Sequence, residues 1–143
     1  MGLIQKLYGK KIFLDTAPLI YFIEEDDCFL PLLHDLFLPL NNCRFVTSTI
    51  TLSEVLVMPL REGKTLLAKQ YKEILTLSEN IDIFDFNISI AEETAKIRAG
   101  YSIKTPDAIQ FATAKYHFVD YFLTNDLRLK AFKELNVITL SEL

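Results

Sequence analysis

Four acidic residues of this chain stand where predicted strands end or predicted helices begin: Asp15, Glu54, Asp107 and Asp126. Asp15 closes the apolar run KIFLD, and Asp126 follows the run YFLTN. Glu54 and Asp107 each fall in the first turn of a predicted helix. In open parallel sheets, ligands bind at the carboxyl ends of the strands, where the following helices also begin. We therefore expect the four carboxylates to meet along one edge of a sheet.

Four carboxylates in one place would repel one another, and a divalent cation relieves that repulsion. A set of oxygen ligands without His or Cys suits Mg²⁺ or Mn²⁺. Such an ion activates a water molecule and neutralises the oxygens of a phosphate ester. The acidic residues therefore predict a metal site that hydrolyses phosphate esters.

Each carboxylate also has a structural interpretation, because acidic residues are common at helix starts. Thr51 and Glu54 have the spacing of a capping box. Asp107 follows Thr105 and Pro106, which suit the cap and the first helical position. The other two carboxylates could cap the helices that follow them. However, Thr or Asn residues beside all four positions could supply these caps, so the joint pattern favours a shared site.

The rest of the chain alternates between short apolar runs and segments of helical periodicity. The predicted strands are residues 11–15, 44–49, 81–86, 120–125 and 136–140. The predicted helices are residues 16–25, 30–40, 51–63, 64–79, 88–101, 105–117 and 126–135. Strands separated by helices need crossover connections, which predicts a three-layer α/β/α fold with a mostly parallel central sheet. We expect a single domain over residues 1–143.

Composition narrows the range of functions. A net charge of −4 and a pI near 5.2 argue against a broad, non-specific nucleic-acid binder, but not against a nuclease whose metal offsets its carboxylates. Apolar residues make up 50% of the chain and the mean hydropathy is +0.22, which indicates apolar surface for a partner or a dimer. With four glycines and no Gly-rich loop, phosphate-binding loops are excluded.

The cysteines and the N-terminus bear on location. Cys28 and Cys43 have no metal-ligand spacing with each other or with the two histidines, which predicts reduced thiols. The start MGLIQKLYGKK lacks the features of a signal peptide, and no run reaches the length of a membrane span. We expect a cytoplasmic protein. Residues 1–10 form an extension before the first strand that either packs on the sheet edge or reflects an upstream start codon.

The segments DTAPLIYFIE, TLSE, TPDAIQFATA and FLTND resemble the successive acidic motifs of PIN-domain ribonucleases, especially VapC-type toxins of toxin–antitoxin pairs. The resemblance spans residues 12–140. It implies a Mg²⁺- or Mn²⁺-dependent endoribonuclease that pairs with a small antitoxin and forms a homodimer. The metal-binding and catalytic roles that it implies fall on Asp15, Glu54, Asp107 and Asp126.

Two hydroxyl residues also match the family pattern. Thr124 matches a Thr or Ser that supports the last acidic residue or a water molecule, and Thr16 matches the small hydroxyl residue after the first Asp. Because the chain is acidic, RNA must be held by a local basic patch. The candidates for that patch, each of which could equally be ordinary solvated surface, are Arg98, Lys104, Arg128 and Lys130.

Three other functions remain open from the residues alone. A non-catalytic PIN-like binding or regulatory module would keep the fold without the chemistry. A nuclease directed at DNA is a second alternative, because nothing in the sequence reads a 2′-hydroxyl. A phosphatase with Asp15 as covalent nucleophile is disfavoured, because such enzymes need a second Asp at the position that Ala17 occupies.

Overall fold

The computed structural model of the protein describes residues 2–143, and within them it forms one five-stranded sheet. The strands are β1 (Lys11–Leu14), β2 (Arg44–Ser48), β3 (Ile81–Phe84), β4 (Tyr121–Thr124) and β5 (Val137–Thr139). Their order in the sheet is β3-β2-β1-β4-β5. The sheet is parallel and flanked by helices, which confirms the predicted fold class.

Helices connect the first four strands, as the alternation of patterns predicts, and a 3-10 turn lies between β4 and β5. The helices are α1 (Leu3–Lys6), α2 (Thr16–Ile23), α3 (Leu30–Phe37), α4 (Thr49–Arg61), α5 (Thr65–Leu77), α6 (Ile88–Gly100) and α7 (Thr105–Tyr116). Short 3-10 turns cover Pro39–Asn41, Leu127–Ala131 and Leu140–Glu142. No helix in residues 2–143 combines the length and the apolarity that crossing a membrane requires.

The extents of two predicted helices and one predicted cap are wrong. The predicted helix 126–135 is only the 3-10 turn Leu127–Ala131, which ends before Phe132 turns into the core. Helix α4 begins at Thr49, because Ser48 caps it by accepting a hydrogen bond from the Thr51 amide. Thr105 is the first residue of α7 rather than its cap.

The described chain divides into two compact units. The first runs to Phe45 and resumes at Val119, so it contains β1, β4, β5 and the helices α1 to α3. Its parallel strands bury apolar side chains, and the rings of Phe13 and Phe122 stack with centroids 4.9 Å apart. These strand pairs fix where the chain leaves the sheet.

The N-terminal extension belongs to the first unit. Leu7 is fully buried, and its carbonyl accepts a hydrogen bond from the Cys43 thiol at 3.3 Å. Gly9 adopts φ = 73°, a conformation open to glycine, and its amide donates to the Asn41 carbonyl at 2.8 Å. The Tyr8 hydroxyl donates to the Asp35 carboxylate. The extension therefore packs against the segment that leads from α3 into β2.

The second unit, Val46–Phe118, is mainly helical. Helix α7 contacts both α6 and α4, and α4 contacts α5. Almost the whole middle of α7 is buried, from Ala108 to Ala114. Tyr71 and Phe111 are fully buried in this core. Because α7 is covered on several sides, a polar residue in its middle needs hydrogen-bond partners inside the protein.

Candidate functional site

In the first unit, strand pairing places Asp15 beside Thr124. Leu14 of β1 is in register with Leu123 of β4. The residues that follow them, Asp15 after Leu14 and Thr124 after Leu123, therefore lie side by side. The Asp15 amide continues the ladder by donating to the Leu123 carbonyl at 3.0 Å. The fully buried Thr124 hydroxyl donates to Asp15 Oδ2 at 2.7 Å. The Asp15 carboxylate is thus held at the carboxyl end of the sheet.

The same hydroxyl reaches the next acidic residue. Thr124 Oγ1 accepts a hydrogen bond from the Asp126 amide at 3.1 Å. One buried hydroxyl therefore joins the end of β1 to the loop after β4. The intervening residue also fixes this loop, because Asn125 Nδ2 donates to the Tyr21 hydroxyl at 3.0 Å. The structure thus brings Asp15, Thr124 and the Asp126 backbone together.

The capping interpretation is wrong for Asp15. This residue occupies the N-cap position of α2, but its side chain makes no capping hydrogen bond. The carboxylate is engaged with Thr124 instead. Next to it, Thr16 Oγ1 is a buried atom that makes no hydrogen bond within the part of the chain that the structure describes. A buried hydroxyl of this kind fits a ligand or a bound water that would satisfy it.

The capping interpretation holds for Asp126. Its Oδ1 accepts from the Arg128 amide at 3.0 Å, which caps the 3-10 turn. The Arg128 guanidinium also binds this carboxylate, through Nε to Oδ1 at 3.0 Å and Nη2 to Oδ2 at 2.6 Å. Arg128 was predicted to bind substrate, and its side chain is 76% exposed. In the structure this guanidinium pairs with Asp126.

Glu54 and Asp107 belong to the second unit. Glu54 is exposed and lies past the first turn of α4, so the predicted capping box with Thr51 is wrong. Asp107 is half-buried in the first turn of α7, where the helix dipole favours a negative charge. The N-cap of that helix is Lys104, which forms no side-chain cap. The two acidic residues thus stand on helices that contact each other.

Sequence reasoning missed a buried network between these two helices. Gln110 of α7 accepts a hydrogen bond from the Ser48 hydroxyl and donates one to Thr51 Oγ1 at 2.5 Å. All three side chains are almost completely buried. The available signal was a lone amide in the apolar stretch AIQFATA. Gln110 follows Asp107 by three residues, and Thr51 precedes Glu54 by three.

The remaining basic candidates are spread over the two units. Arg98 is exposed in the last turn of α6, and Lys104 is exposed before α7. Lys130 forms an ion pair with Glu142. Hydrogen bonding from Lys130 holds the pKa of the Glu142 carboxyl below its ordinary value. In the structure Lys130 pairs with Glu142, and its contact with RNA stays a prediction.

The donor atoms are of the right type for a metal. Carboxylate and hydroxyl oxygens are hard ligands that suit Mg²⁺ or Mn²⁺. The orphaned Thr16 hydroxyl beside Asp15 is consistent with such a group. However, residues 2–143 hold no cluster of three or more His, Cys, Asp or Glu side chains arranged around a metal position. The donor chemistry fits the metal, and the predicted four-carboxylate ligand set stays a prediction.

Comparison with known families decides the identity of the fold. The model of the PIN domain matches residues 12–135. The chain belongs to the PIN domain family. The match covers most of the chain and begins at β1, after the N-terminal extension. No curated protein sequence matches this PIN-domain chain. A single domain over residues 1–143 stays a prediction.

Several solved structures are similar to this PIN-domain protein. A toxin–antitoxin complex from Klebsiella pneumoniae has 25% identity and a TM-score of 0.71, with 92% of this chain and 99% of that chain covered. VapBC2 from Rickettsia felis, bound to a promoter DNA fragment, has 19% identity and a TM-score of 0.72, with 90% and 98% covered. VapC20 from Mycobacterium tuberculosis, a sarcin–ricin loop cleaving toxin, has 18% identity and a TM-score of 0.65, with 87% and 98% covered. The last two likenesses show the fold alone.

Proposed function

We propose that this PIN-domain protein is a Mg²⁺- or Mn²⁺-dependent endoribonuclease that hydrolyses phosphodiester bonds of RNA. The observation that carries the proposal is the placement of Asp15. Its carboxylate stands at a helix start without capping it, and a fully buried hydroxyl orients it instead. A carboxylate that is fixed at the carboxyl end of a parallel sheet and does no capping is suited to hold a ligand there.

In this proposal Asp15, Glu54, Asp107 and Asp126 hold the metal. When bound, the metal supplies a nucleophilic water at neutral pH and neutralises charge on the phosphate. Thr124 is a positioning residue, because its hydroxyl contacts the Asp15 carboxylate and the Asp126 amide. The buried Thr124 hydroxyl restricts the Asp15 carboxylate and the Asp126 amide, so neither group has to be ordered when the substrate binds.

Substrate binding is assigned to four residues near the acidic positions in sequence. We propose that Thr16, Arg98, Lys104 and Arg128 contact the RNA backbone. The strongest support concerns Arg128, because its guanidinium is hydrogen-bonded to the Asp126 carboxylate and its side chain is largely exposed. An arginine in this place can exchange a carboxylate for a phosphate, since both accept its forked donors. Each phosphate contact makes RNA affinity fall as salt rises.

We also propose that the protein is the toxin of a type II toxin–antitoxin pair in the cytoplasm, with a small antitoxin as partner and a second copy as dimer mate. Support comes from the similarity to the Klebsiella toxin–antitoxin complex. Large apolar side chains are exposed as well, among them Leu40, Leu66, Ile88 and Phe118 at 80% or more. Apolar side chains that bind a partner are exposed in the isolated chain, so these residues are the candidates for such a contact.

The nuclease proposal is tested with purified protein and a structured RNA, in Mg²⁺, in Mn²⁺ and in a chelator. We expect cleavage with either metal, none with the chelator, and none by the Asp15→Asn or Asp107→Asn variants. Asp27→Asn, in the exposed acidic loop, is the matched control that should cleave like the parent. If Asp15→Asn and Asp107→Asn both cleave at the parental rate, the site assignment is wrong.

A non-catalytic binding module is the second candidate, and one observation favours it. Both Asp126 oxygens accept hydrogen bonds from Arg128, as a purely structural turn would require. Calorimetric titration with Mn²⁺ separates the two functions. Binding that Asp15→Asn abolishes supports the nuclease, whereas no measurable binding and no cleavage support the module. Cleavage of matched single-stranded DNA but not RNA would instead identify a DNA-directed enzyme.

The proposed partners have a separate test. Light scattering behind size exclusion gives the mass of the purified chain, and a dimer is expected from the exposed apolar residues. Co-expression with the adjacent small reading frame should yield a stable complex that no longer cleaves RNA. A monomer that co-purifies with nothing and is harmless on expression would contradict both partner proposals.

A further inference from the structure

Gln110 is a buried polar side chain whose role the acidic motifs do not explain. It is 1% exposed in the middle of α7, among Ala, Ile and Phe residues. An amide in such a place has to find hydrogen-bond partners, because burying it without them is costly. An apolar residue of the same size would fill this space without that requirement. The sequence nevertheless places glutamine here.

The partners of Gln110 both come from the start of α4. Its Oε1 accepts from the hydroxyl of Ser48, and its Nε2 donates to the hydroxyl of Thr51 at 2.5 Å. Ser48 also caps α4, because its oxygen accepts from the Thr51 amide at 3.4 Å. We call Ser48, Thr51 and Gln110 the amide clamp. It ties the first turn of one helix to the middle of another.

The amide clamp restricts movement in a way that apolar packing does not. Hydrogen bonds are directional, so two of them from one planar amide fix both the rotation and the axial position of the partners. Apolar contacts are non-directional and tolerate small sliding movements. A buried polar network in which every member is satisfied rigidifies its surroundings. The contact between α4 and α7 is therefore set at one defined register.

The proposed ligand residues lie one helical turn from the clamp. Thr51 and Glu54 are three residues apart on α4, and Asp107 and Gln110 are three apart on α7. Residues with this spacing are neighbours on one face of a helix. A shift of either helix at the clamp would move the adjacent carboxylate by a similar distance. Displacements of about 1 Å at such sites can reduce rates about 10²-fold.

We infer that Gln110 is a positioning residue: through Ser48 and Thr51 its amide sets the register between the helix turns that carry Glu54 and Asp107. The consequence for metal binding rests on the proposed function, whereas the register itself does not. Gln110 touches neither the metal nor the RNA in this inference. Its effect on both is transmitted by the helix backbones.

The first measurement needs no metal. Nitroxide labels on Val57→Cys of α4 and Tyr116→Cys of α7, both exposed positions, report the distance between the helices by double electron–electron resonance. Cys28→Ser removes the exposed native thiol, and Cys43 is buried. Gln110→Met keeps the size of the side chain but removes both hydrogen bonds. We expect the distance distribution to shift or widen in this variant.

The second measurement is Mn²⁺ affinity by calorimetry, at a temperature where every variant is folded by circular dichroism. Gln110→Met and Thr51→Val should each weaken Mn²⁺ binding by about 10- to 100-fold, the usual effect of removing a supporting residue. Thr51→Ser keeps the hydroxyl and should restore near-parental affinity. Thr113→Val is the matched control, because that buried hydroxyl donates only to its own helix, at the Ile109 carbonyl, and should leave affinity unchanged.

The outcomes are separable. A changed label distance and weaker Mn²⁺ binding in Gln110→Met, with neither in Thr113→Val, support the inference. A label distance identical to that of the parent overturns it, even if the melting temperature falls. If the parent itself binds no Mn²⁺, the proposed metal site fails, and the inference about Gln110 is then decided by the label distances alone.

Discussion

The two units of this PIN-domain protein hold their acidic residues in different ways. In the first unit, Asp15 continues a strand, and the neighbouring strand supplies the Thr124 hydroxyl that binds it. In the second, Glu54 and Asp107 stand on helices whose contact is fixed by the amide of Gln110. A strand end is placed by backbone register, whereas a helix start is placed by side-chain packing. The second arrangement therefore needs a dedicated polar network.

The largest expected effect comes from Asp15, the carboxylate that is placed directly. Asp15→Asn keeps the shape of the side chain and can still accept from Thr124, but it loses the charge. We expect RNA cleavage to fall by roughly 10³-fold or more, with little change in melting temperature. Single-turnover cleavage assays check this, with Asp27→Asn as control. If Asp15→Asn cleaves RNA at the parental rate, the direct placement of Asp15 has no role in catalysis.

Thr124 tests whether direct placement depends on the hydroxyl. Thr124→Val leaves the Asp126 amide without its acceptor, which should cost about 1–3 kcal/mol of unfolding free energy. Cleavage should fall by about 10- to 100-fold, because Asp15 loses its orienting donor. Thr124→Ser keeps the hydroxyl and should recover most of both. Urea unfolding and cleavage rates measure the two effects, and equal activity in Val and Ser variants would contradict this role.

Ser48 tests how the helices of the second unit are placed, because it is both the cap of α4 and a member of the amide clamp. Ser48→Ala should lower the unfolding free energy by about 0.5–2 kcal/mol and also weaken Mn²⁺ binding. Asn87→Ala is the matched control, since Asn87 caps α6 of the same unit by accepting from the Ile90 amide at 2.9 Å. The control should lose similar stability and no affinity. Equal losses of affinity would show that the clamp has no special role.

Arg128 tests the exposed part of the first unit. Its ion pair with Asp126 is largely solvated, so Arg128→Ala should change unfolding free energy by less than about 1 kcal/mol. If Arg128 also contacts RNA phosphate, the slope of log affinity against log salt should become shallower by about 1. Filter binding over a salt series measures this. Lys133→Ala, an exposed lysine just after this 3-10 turn, is the control, and the same slope in both variants would make Arg128 purely structural.

The smallest expected effect is a pH dependence at Glu142. Its pKa is lowered by hydrogen bonding from Lys130, so it stabilises the folded state above its ordinary pKa of about 4.3. That contribution is lost as the pH falls through the lowered pKa. Melting temperatures of the parent and of Glu142→Gln are measured between pH 6 and pH 3. At pH 6 the parent should be more stable by at most about 1 kcal/mol of unfolding free energy, and at pH 3 the two melting temperatures should be equal. A constant gap would contradict the assigned cause.

Much of the fold was accessible from local patterns. The strand at KIFLD and the helix at TPDAIQFATAKYH were predicted to within one residue of β1 and α7. Parallel pairing followed from the alternation of strands and helices. The capping assignments were less reliable, because several neighbouring side chains could accept a hydrogen bond from the same backbone amide. At α4 the cap is Ser48 rather than Thr51, and only the folded chain distinguishes them.

By itself, the sequence determined the element types, their order and the positions of the four acidic residues, because hydrophobic period and motif spacing are local properties of the chain. Tertiary structure decided what each side chain binds. The Asp15 carboxylate is hydrogen-bonded to Thr124, the Asp126 carboxylate to Arg128, and the Gln110 amide to the start of α4. Asp15 and Thr124 are 109 residues apart and Gln110 and Thr51 are 59 apart, so no local rule could pair them, whereas the partner of Asp126 is only two residues away. A buried polar group is satisfied by whatever donor or acceptor the packing brings within reach, and that choice exists only once the chain has folded.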